Sequence, residues 1–167
     1  QDSNGNPIDA NSQIVFAAGG NEGDLVTAYN PTTGAALASK TISGTNMRPS
    51  ALAFDATNNR LLIADDGPDL QIKAYNNLAA GSGAPTVDTT FGTNGAFGYK
   101  GGIYAGSNPG AVYDAAAGND ARFYQLNSLA IDASGNLYVG MGVAFTGGEL
   151  RKFSPSSTNK LWTLQGL

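Results

Sequence analysis

The chain has 167 residues, of which 41% are hydrophobic and 13% are charged, with 9 Lys and Arg against 13 Asp and Glu. This length suits one domain with a sizeable core. The few, scattered basic residues exclude the electrostatic footprint of a nucleic-acid-binding protein. Because the sequence has no Cys and no His, disulfides, thiolate or imidazole metal sites, and Ser-His or Cys-His nucleophiles are excluded as well.

The composition also bears on localisation. No run approaches the about 20 apolar residues that span a bilayer, so we expect no membrane span. The chain opens on Gln1 and is rich in Asn, Thr and Gly, and we interpret it as a processed or excised piece of an extracellular or periplasmic protein. Pro31 follows Asn30, and a proline at this position excludes N-glycosylation of Asn30. The absence of a usable glycosylation triplet favours a bacterial source.

The first part of the chain predicts a linker and an incomplete unit. Residues 1–12 are interpreted as a linker or N-terminal strand, and residues 13–42 as part of a β-sheet unit. Three strands are predicted there, with the sequences QIVFAA (13–18), DLVTAYN (24–30) and ALASKTI (36–42). Short apolar runs separated by Gly, Asn and Pro are typical of an all-β fold.

Two later units repeat one plan. LAFDATNNRLLIAD (52–65) and LAIDASGNLYVG (129–140) match at a spacing of 77 residues. The unit at 49–91 predicts the strands SALAFD, RLLIAD, LQIKAYN and TVDTTF; that at 126–167 predicts NSLAID, LYVGM, ELRKFS and LWTLQ. Residues 92–125 form a predicted insertion loop without evident secondary structure. Repeated four-stranded antiparallel meanders are typical of β-propeller blades.

The number of units predicts an incomplete ring. About three blades are present, whereas closed propellers usually have at least four. The uncovered blade faces would expose apolar area comparable to the largest patches on ordinary monomers. We therefore expect further blades as partners, supplied by the same chain, by a companion chain or by an oligomer.

The best-defined unit carries a family resemblance. The segment ARFYQLNSLAIDASGNLYVG, followed by GGELRKFS, resembles the NHL-type repeat, with its Ala-Arg-Phe segment, Asp, Gly-Asn turn and Leu-Tyr-Val strand. The resemblance implies a β-propeller and says little about function. Asp55 and Asp132 stand at matched points before a turn, so we expect both to bind turn amides rather than to catalyse.

The insertion supplies the candidate ligand-binding residues. It alternates Gly with the aromatic residues Phe97, Tyr99, Tyr104 and Tyr113. Aromatic rings stack on the apolar faces of sugars or on peptide side chains, so a polysaccharide or protein ligand is expected at this loop. The alternative is that the rings pack back onto the blade edges and hold the loop down.

A cluster of carboxylates supplies the candidate metal site. Asp65, Asp66 and Asp69 lie within five residues, and Ca²⁺ prefers several carboxylate and carbonyl oxygens in a loop. The alternative is ordinary turn chemistry, since Asp-Gly-Pro-Asp is a typical turn sequence. The prediction is thus no cofactor, or Ca²⁺ at this cluster.

Two classes of function remain after these exclusions. The first is a non-catalytic extracellular recognition or scaffold module that binds carbohydrate or protein through the loop end of the blades. The second is a Ca²⁺-dependent hydrolase or lyase similar to the gluconolactonase-like family, with key residues partly in blades absent here. Where that family places an acidic residue, this chain has Asn127-Ser128 and Pro49-Ser50. Asp65, Asp66, Asp69 and Glu22 are candidates for a carboxylate pair.

A fainter resemblance points to a third class. AYNPTTGAALAS and KLWTLQG are similar to repeats of quinone-dependent propellers, but the Trp docking pattern of that class occurs only once.

Overall fold

The structure is a computed structural model, and it describes residues 14–18, 25–79, 83–105, 121–143, 147–154 and 160–166. The N-terminal sheet contains β1 (Val15–Ala18), β2 (Leu25–Tyr29) and β3 (Ile42–Ser43). The central sheet contains β4 (Pro49–Asp55), β5 (Arg60–Asp65), β6 (Gln71–Asn76), β7 (Thr86–Val87) and β8 (Ala96–Phe97). The C-terminal sheet contains β9 (Leu126–Ile131), β10 (Leu137–Val143), β11 (Gly147–Phe153) and β12 (Lys160–Gln165). Two short 3₁₀ helices span Ala38–Lys40 and Gly102–Tyr104.

Each sheet is an antiparallel meander in chain order. In the central sheet Leu52 pairs with Ile63, and in the C-terminal sheet the matched Leu129 pairs with Val139. At the 77-residue spacing Ile63 corresponds to Gly140, so the two hairpins differ in register by one residue. The repeat read from the sequence is therefore a repeat of strand order and not of register. The all-β class and the meander organisation predicted above are confirmed.

The second strand of the central sheet, β5, is buried on both faces. Every residue of β5 is buried, because successive side chains of a strand point to opposite faces and both faces are covered. Leu61 and Ile63 enter a cluster shared with the N-terminal sheet, whereas Leu62 and Ala64 enter a cluster shared with the C-terminal sheet. The continuous apolar run in RLLIAD reflects this double burial.

The three sheets stack in chain order like successive blades of a propeller. β4, the first strand of the central sheet, lies beside β9, the first strand of the C-terminal sheet. Within the described ranges, the sheets form no closed barrel or ring, so the arrangement is an incomplete ring. In the same part of the chain, no helix has the length and apolar character needed to cross a membrane.

The strand predicted at 36–42 is interrupted in its middle part. Ala36 forms an isolated antiparallel bridge with Tyr29 of β2, residues 38–40 form a 3₁₀ helix, and pairing with β2 resumes at Ile42 and Ser43. The reason is Lys40, whose buried Nζ donates hydrogen bonds to the carbonyl oxygens of Asn77 (2.9 Å) and Gly83. An extended backbone would carry this side chain away from those two acceptors.

The predicted fourth strand at 86–91 and the structureless loop at 92–125 also need correction. The strand stops after Val87, because the Asp88 carboxylate turns back to accept hydrogen bonds from the Thr90 N–H (3.0 Å) and O–H (2.6 Å). The chain then returns, and Ala96–Phe97 pairs with the same edge of β6. The fourth position of this blade is therefore built from two short strands, one of which comes from the predicted insertion.

Candidate functional site

The loop that follows β5 and the last residues of β10 meet the start of β9 at one end of the blades, called the loop end below. The Leu126 amide donates to Asp66 Oδ1 (2.8 Å), and the Gly142 amide donates to the Gln125 carbonyl (3.1 Å). The first bond ties the central sheet to the C-terminal sheet. The loop end is thus a connected surface.

The acidic cluster at this end is occupied by cations and amides of the protein itself. Buried Asp65 accepts the amides of Arg48 and Gly67 on Oδ1, both at 2.8 Å. Its Oδ2 lies 2.7 Å from Lys73 Nζ, which also lies 3.0 Å from Asp69 Oδ2. Lys73 therefore bridges two carboxylates.

These contacts set the charge of the cluster. Partial burial alone would raise the pKa of Asp69, but hydrogen bonds and charge from Lys73, together with Lys100, outweigh burial and hold that pKa below its usual value. The pKa of Lys73 is raised, because Asp65 and Asp69 outweigh the burial that opposes its charge. Burial raises the pKa of Asp66, and it outweighs the hydrogen bond from the Leu126 amide and the charge of Arg48, which both lower that pKa. Two carboxylates and one ammonium therefore share a charged network.

The predicted metal residues are consequently not arranged as a ligand set. Among the described residues, no group of three or more acidic side chains is placed to hold a metal ion. Asp65 and Asp69 bind lysine, and Asp66 binds a backbone amide. The cluster acts as a turn with ion pairs, the alternative considered above, and Ca²⁺ binding stays a prediction that metal titration must test.

Of the candidate aromatics, Phe97 belongs to the core. Its side chain is 5% exposed, and its ring meets Phe91, Phe123 and Phe153 edge to face at centroid distances of 6.2, 5.6 and 4.8 Å. Pairing of β8 with β6 directs the ring between the central and C-terminal sheets. This corrects the expectation that Phe97 faces a ligand.

Tyr99 is a half-buried residue that anchors the insertion. The guanidinium carbon of Arg122 lies 4.9 Å from the centroid of the Tyr99 ring, a cation–π geometry. The Tyr99 amide donates to the Ala121 carbonyl (2.8 Å), and its carbonyl accepts the Gly102 amide (2.8 Å). Its contacts stabilise the loop.

Among the candidate aromatics within the described residues, Tyr104 is the one exposed to solvent, with a side chain 68% exposed. Hydrogen bonds to neighbouring residues hold the 3₁₀ helix that carries Tyr104. The Gly101 amide donates to the Asp69 carbonyl (2.7 Å), and Arg122 Nε donates to the Gly102 carbonyl (3.1 Å). Arg122 is fully buried. Tyr113 lies outside the described residues.

Gly102 shows why this turn has its sequence. Its φ is +51°, and a Cβ at this position would lie 2.1 Å from the Phe123 carbonyl oxygen and 2.8 Å from a Leu70 methyl. Glycine is therefore required for both the backbone conformation and the close approach. The turn is packed against the protein rather than standing free of it.

Asp55 and Asp132 act as predicted, within turns. Asp132 Oδ1 accepts the Ser134 and Asn136 amides (3.0 and 2.8 Å), and Oδ2 accepts Asn136 Nδ2 (2.7 Å) and Tyr138 Oη (3.0 Å). Led by the Asn136 side chain, these bonds lower the pKa of Asp132 to about 2. Asp55 likewise accepts the Asn58 amide (3.2 Å).

Among the candidate carboxylates for hydrolysis, Glu22 lies outside the described residues. The other glutamate, Glu149, is buried, with Arg151 Nε 2.6 Å from Oε1 and Tyr124 Oη 3.4 Å from Oε2. This ion pair lies on the same face of β11 as Phe153, which packs in the core cluster between the central and C-terminal sheets.

Sequence reasoning missed Lys73 and Lys100 as parts of the loop end. Lys100 Nζ lies 3.4 Å from Asp69 Oδ1, and its side chain is 76% exposed. One signal was available for Lys73, which stands four residues after Asp69 and is the first basic residue after the acidic cluster. Lys100 is distant in sequence, and only the folded insertion brings it to Asp69.

Comparisons with known proteins give little beyond the fold. No family model matches the sequence, and no curated protein matches it. Among solved structures, the chain is similar to one from the crystal structure of a nidogen/laminin complex, with 13% sequence identity and a TM-score of 0.41. The match covers 92% of this chain and 63% of that one. The chain thus spans less than two thirds of that structure, and a similarity of this degree carries no argument about function.

Proposed function

We propose that this chain is a non-catalytic recognition module, built from NHL-type propeller blades, that binds a carbohydrate through its loop end. The observation that carries the proposal is Tyr104, which is 68% exposed on a turn held by buried Arg122 and by the Asp69 carbonyl. Because the backbone that carries the ring is already held in place, less freedom is lost when a ligand stacks on the ring, and more of the contact energy appears as affinity.

Polar groups beside the turn support a carbohydrate rather than a purely apolar ligand. Lys100 is exposed, and Asp69, its ion-pair partner, retains a side-chain exposure of 29%. A carboxylate, an ammonium and a phenol hydroxyl can donate to and accept from sugar hydroxyls. The composition, which is rich in Asn, Thr and Gly and poor in Lys, supports an extracellular or periplasmic setting for such a ligand.

The scaffold part of the proposal concerns the outer face of the C-terminal sheet. Lys152 pairs with Trp162 and Leu150 pairs with Leu164 on this face. Trp162 and Leu164 are 40% and 60% exposed, although the Trp162 ring touches Tyr138 at a centroid distance of 6.0 Å. Further propeller blades are the partners that we propose to cover these side chains.

A glycan-binding experiment tests the recognition role. The protein is passed over a panel of immobilised polysaccharides, and affinity is measured for any that retain it, for the wild type and for Tyr104→Ala. Loss of a central aromatic contact should weaken binding roughly tenfold. Phe54→Ala is the matched control, because Phe54 is similarly exposed at 52% but lies beside the β4–β5 turn, at the opposite end of the blades.

Three results would contradict the proposal. They are retention of no polysaccharide, equal loss in both variants, and binding that Tyr104→Ala leaves unchanged. Circular dichroism of both variants confirms that each remains folded.

A further inference from the structure

A groove of about 430 Å³ opens between the N-terminal and central sheets. Its lining is mainly apolar. Three lining residues come from β4 and one, Phe16, from β1; the lining includes Ile14, Phe16, Leu52, Phe54, Leu61 and Leu78. Four of these residues, Phe16, Leu52, Leu61 and Leu78, also belong to the core cluster between the two sheets. The groove is therefore a continuation of that interface toward solvent.

Comparison of the repeated sheets shows which strand the N-terminal sheet lacks at this interface among the described residues. Tyr29-Asn30 in the N-terminal sheet matches Tyr75-Asn76 in the central sheet, so β2 corresponds to β6 and β1 to β5. In the central and C-terminal sheets, a first strand, β4 or β9, pairs with the second strand. Among the described residues β1 pairs with β2 alone, which leaves one edge of β1 without a neighbouring strand.

The contacts between sheets place the missing strand at the groove. β5 touches β9 of the following sheet, and β1 touches β4 in the same way. The packing step from one sheet to the next is therefore repeated. By that repeat, a first strand of the N-terminal sheet would lie against β4 as β4 lies against β9, which is where the groove runs.

Phe54 shows the consequence in one side chain. Its match in the C-terminal sheet is Ile131, which packs against the core cluster shared with the central sheet. Ala51 and Ala53 of β4 pack against the same cluster. Phe54 has no such cover from the described residues and is 52% exposed. The environments of Phe54 and Ile131 differ because the described residues place no first strand of the N-terminal sheet against Phe54.

We propose that this groove binds an extended strand of a partner polypeptide, which pairs antiparallel with the free edge of β1. Strand addition of this kind uses backbone hydrogen bonds for affinity and alternate side chains for specificity. The side chains that face the groove should be small, as Ala51 and Ala53 are where β4 meets the next sheet. A strand of six or seven residues, about 20 Å long, would suffice.

The chain itself offers no suitable strand in its described part, since β4 and β9 are already paired within their own sheets. The N-terminal sequence QDSNGNPIDANSQ does not fit the pattern. It has Pro7, which cannot donate a ladder hydrogen bond, and Asp9 beside Ile8 where small and apolar residues should alternate. These points favour a separate polypeptide as the source.

A peptide with the sequence of residues 48–57 provides the test, because it contains the natural first strand PSALAFD. Binding is measured by fluorescence anisotropy of the labelled peptide and by hydrogen exchange of the β1 amides, Val15–Ala18. The control peptide has Glu in place of the two groove-facing alanines. The groove variant is Phe54→Asp, and its matched control is Val87→Asp, which alters a residue of the same sheet that is 47% exposed and does not line the groove.

The expected result is saturable binding with slower exchange of the β1 amides, at least tenfold weaker binding in Phe54→Asp, and no change in Val87→Asp. The Glu-containing peptide should not bind. The proposal is overturned if the first peptide does not bind or if Phe54→Asp binds it normally. It is also overturned if deleting residues 1–13 is needed for binding, which would place the protein's own N-terminus in the groove. A dimer that Phe54→Asp dissociates would show a second copy as the occupant and overturn it too.

Discussion

Replacing Phe97 with Ala separates a core role from a ligand-binding role for this residue. The substitution removes a ring that is 5% exposed and that makes edge-to-face contacts with three other phenylalanines. Core Phe→Ala substitutions cost about 3–5 kcal/mol, and each aromatic pair contributes about 0.5–1.5 kcal/mol beyond burial. The three contacts place the expected loss in the free energy of unfolding at about 4 kcal/mol.

Urea unfolding followed by circular dichroism measures this loss. With a slope of about 2 kcal/mol per molar urea, a loss of about 4 kcal/mol moves the midpoint by about 2 M. Phe97→Leu keeps an apolar side chain but loses the three ring contacts, so it should cost about 2 kcal/mol, less than Phe97→Ala. Tyr104→Ala changes an exposed side chain and should cost less than about 0.5 kcal/mol. A loss below about 1 kcal/mol in Phe97→Ala would refute the core assignment.

Three further substitutions test the loop end and the turns. Lys73→Met removes the cation beside buried Asp65 and should destabilise the fold by about 3 kcal/mol in urea unfolding, with partial recovery in the double variant with Asp65→Asn; additive losses would contradict the pairing. Gly102→Ala forces a strained backbone and a clash, so it should lower the melting temperature and abolish the glycan binding that wild type shows; an unchanged melting temperature would show the turn to be loose. The pKa of Asp132, about 2, is below its value in the unfolded chain, so the stabilisation that ionised Asp132 gives the fold is full above about pH 4 and is lost as the pH falls toward 2. In Asp132→Asn, the free energy of unfolding should therefore change less between about pH 4 and pH 2 than in the wild type. An equally steep loss in the variant would show that other groups cause the pH dependence.

The sequence predicted those parts of the fold that depend on local pattern. β5 begins and ends at the predicted residues, 60 and 65, because its apolar run lies between a turn signal and an acidic loop. Asp132 was expected in its turn, because a short carboxylate before Gly-Asn can reach nearby amides without help from the rest of the chain. The strand predicted at 36–42 is interrupted at residues 38–40, where Lys40 binds carbonyl groups about 40 residues away, an interaction that no local sequence window contains.

For the candidate site, too, the sequence predicted some features and only the tertiary structure decided others. Residue type alone pointed to the aromatics of the insertion and to the acidic cluster, and three of the four aromatics lie within the described residues. Which aromatic is buried was decided by β8 pairing with β6, which turns Phe97 inward. Which carboxylates remain available was decided by Lys73, which reaches Asp65 and Asp69 from the next strand.

By itself, the sequence determined the blade, because alternation, turns and the repeated Asp act over a few neighbouring residues. Only the tertiary structure decided exposure, because exposure depends on which sheet lies opposite. Phe54 and Ile131 occupy the same place in their repeats, yet Phe54 lines an open groove while Ile131 packs on a core cluster. The physical reason is the strand that covers one of them and that no described residue provides for the other.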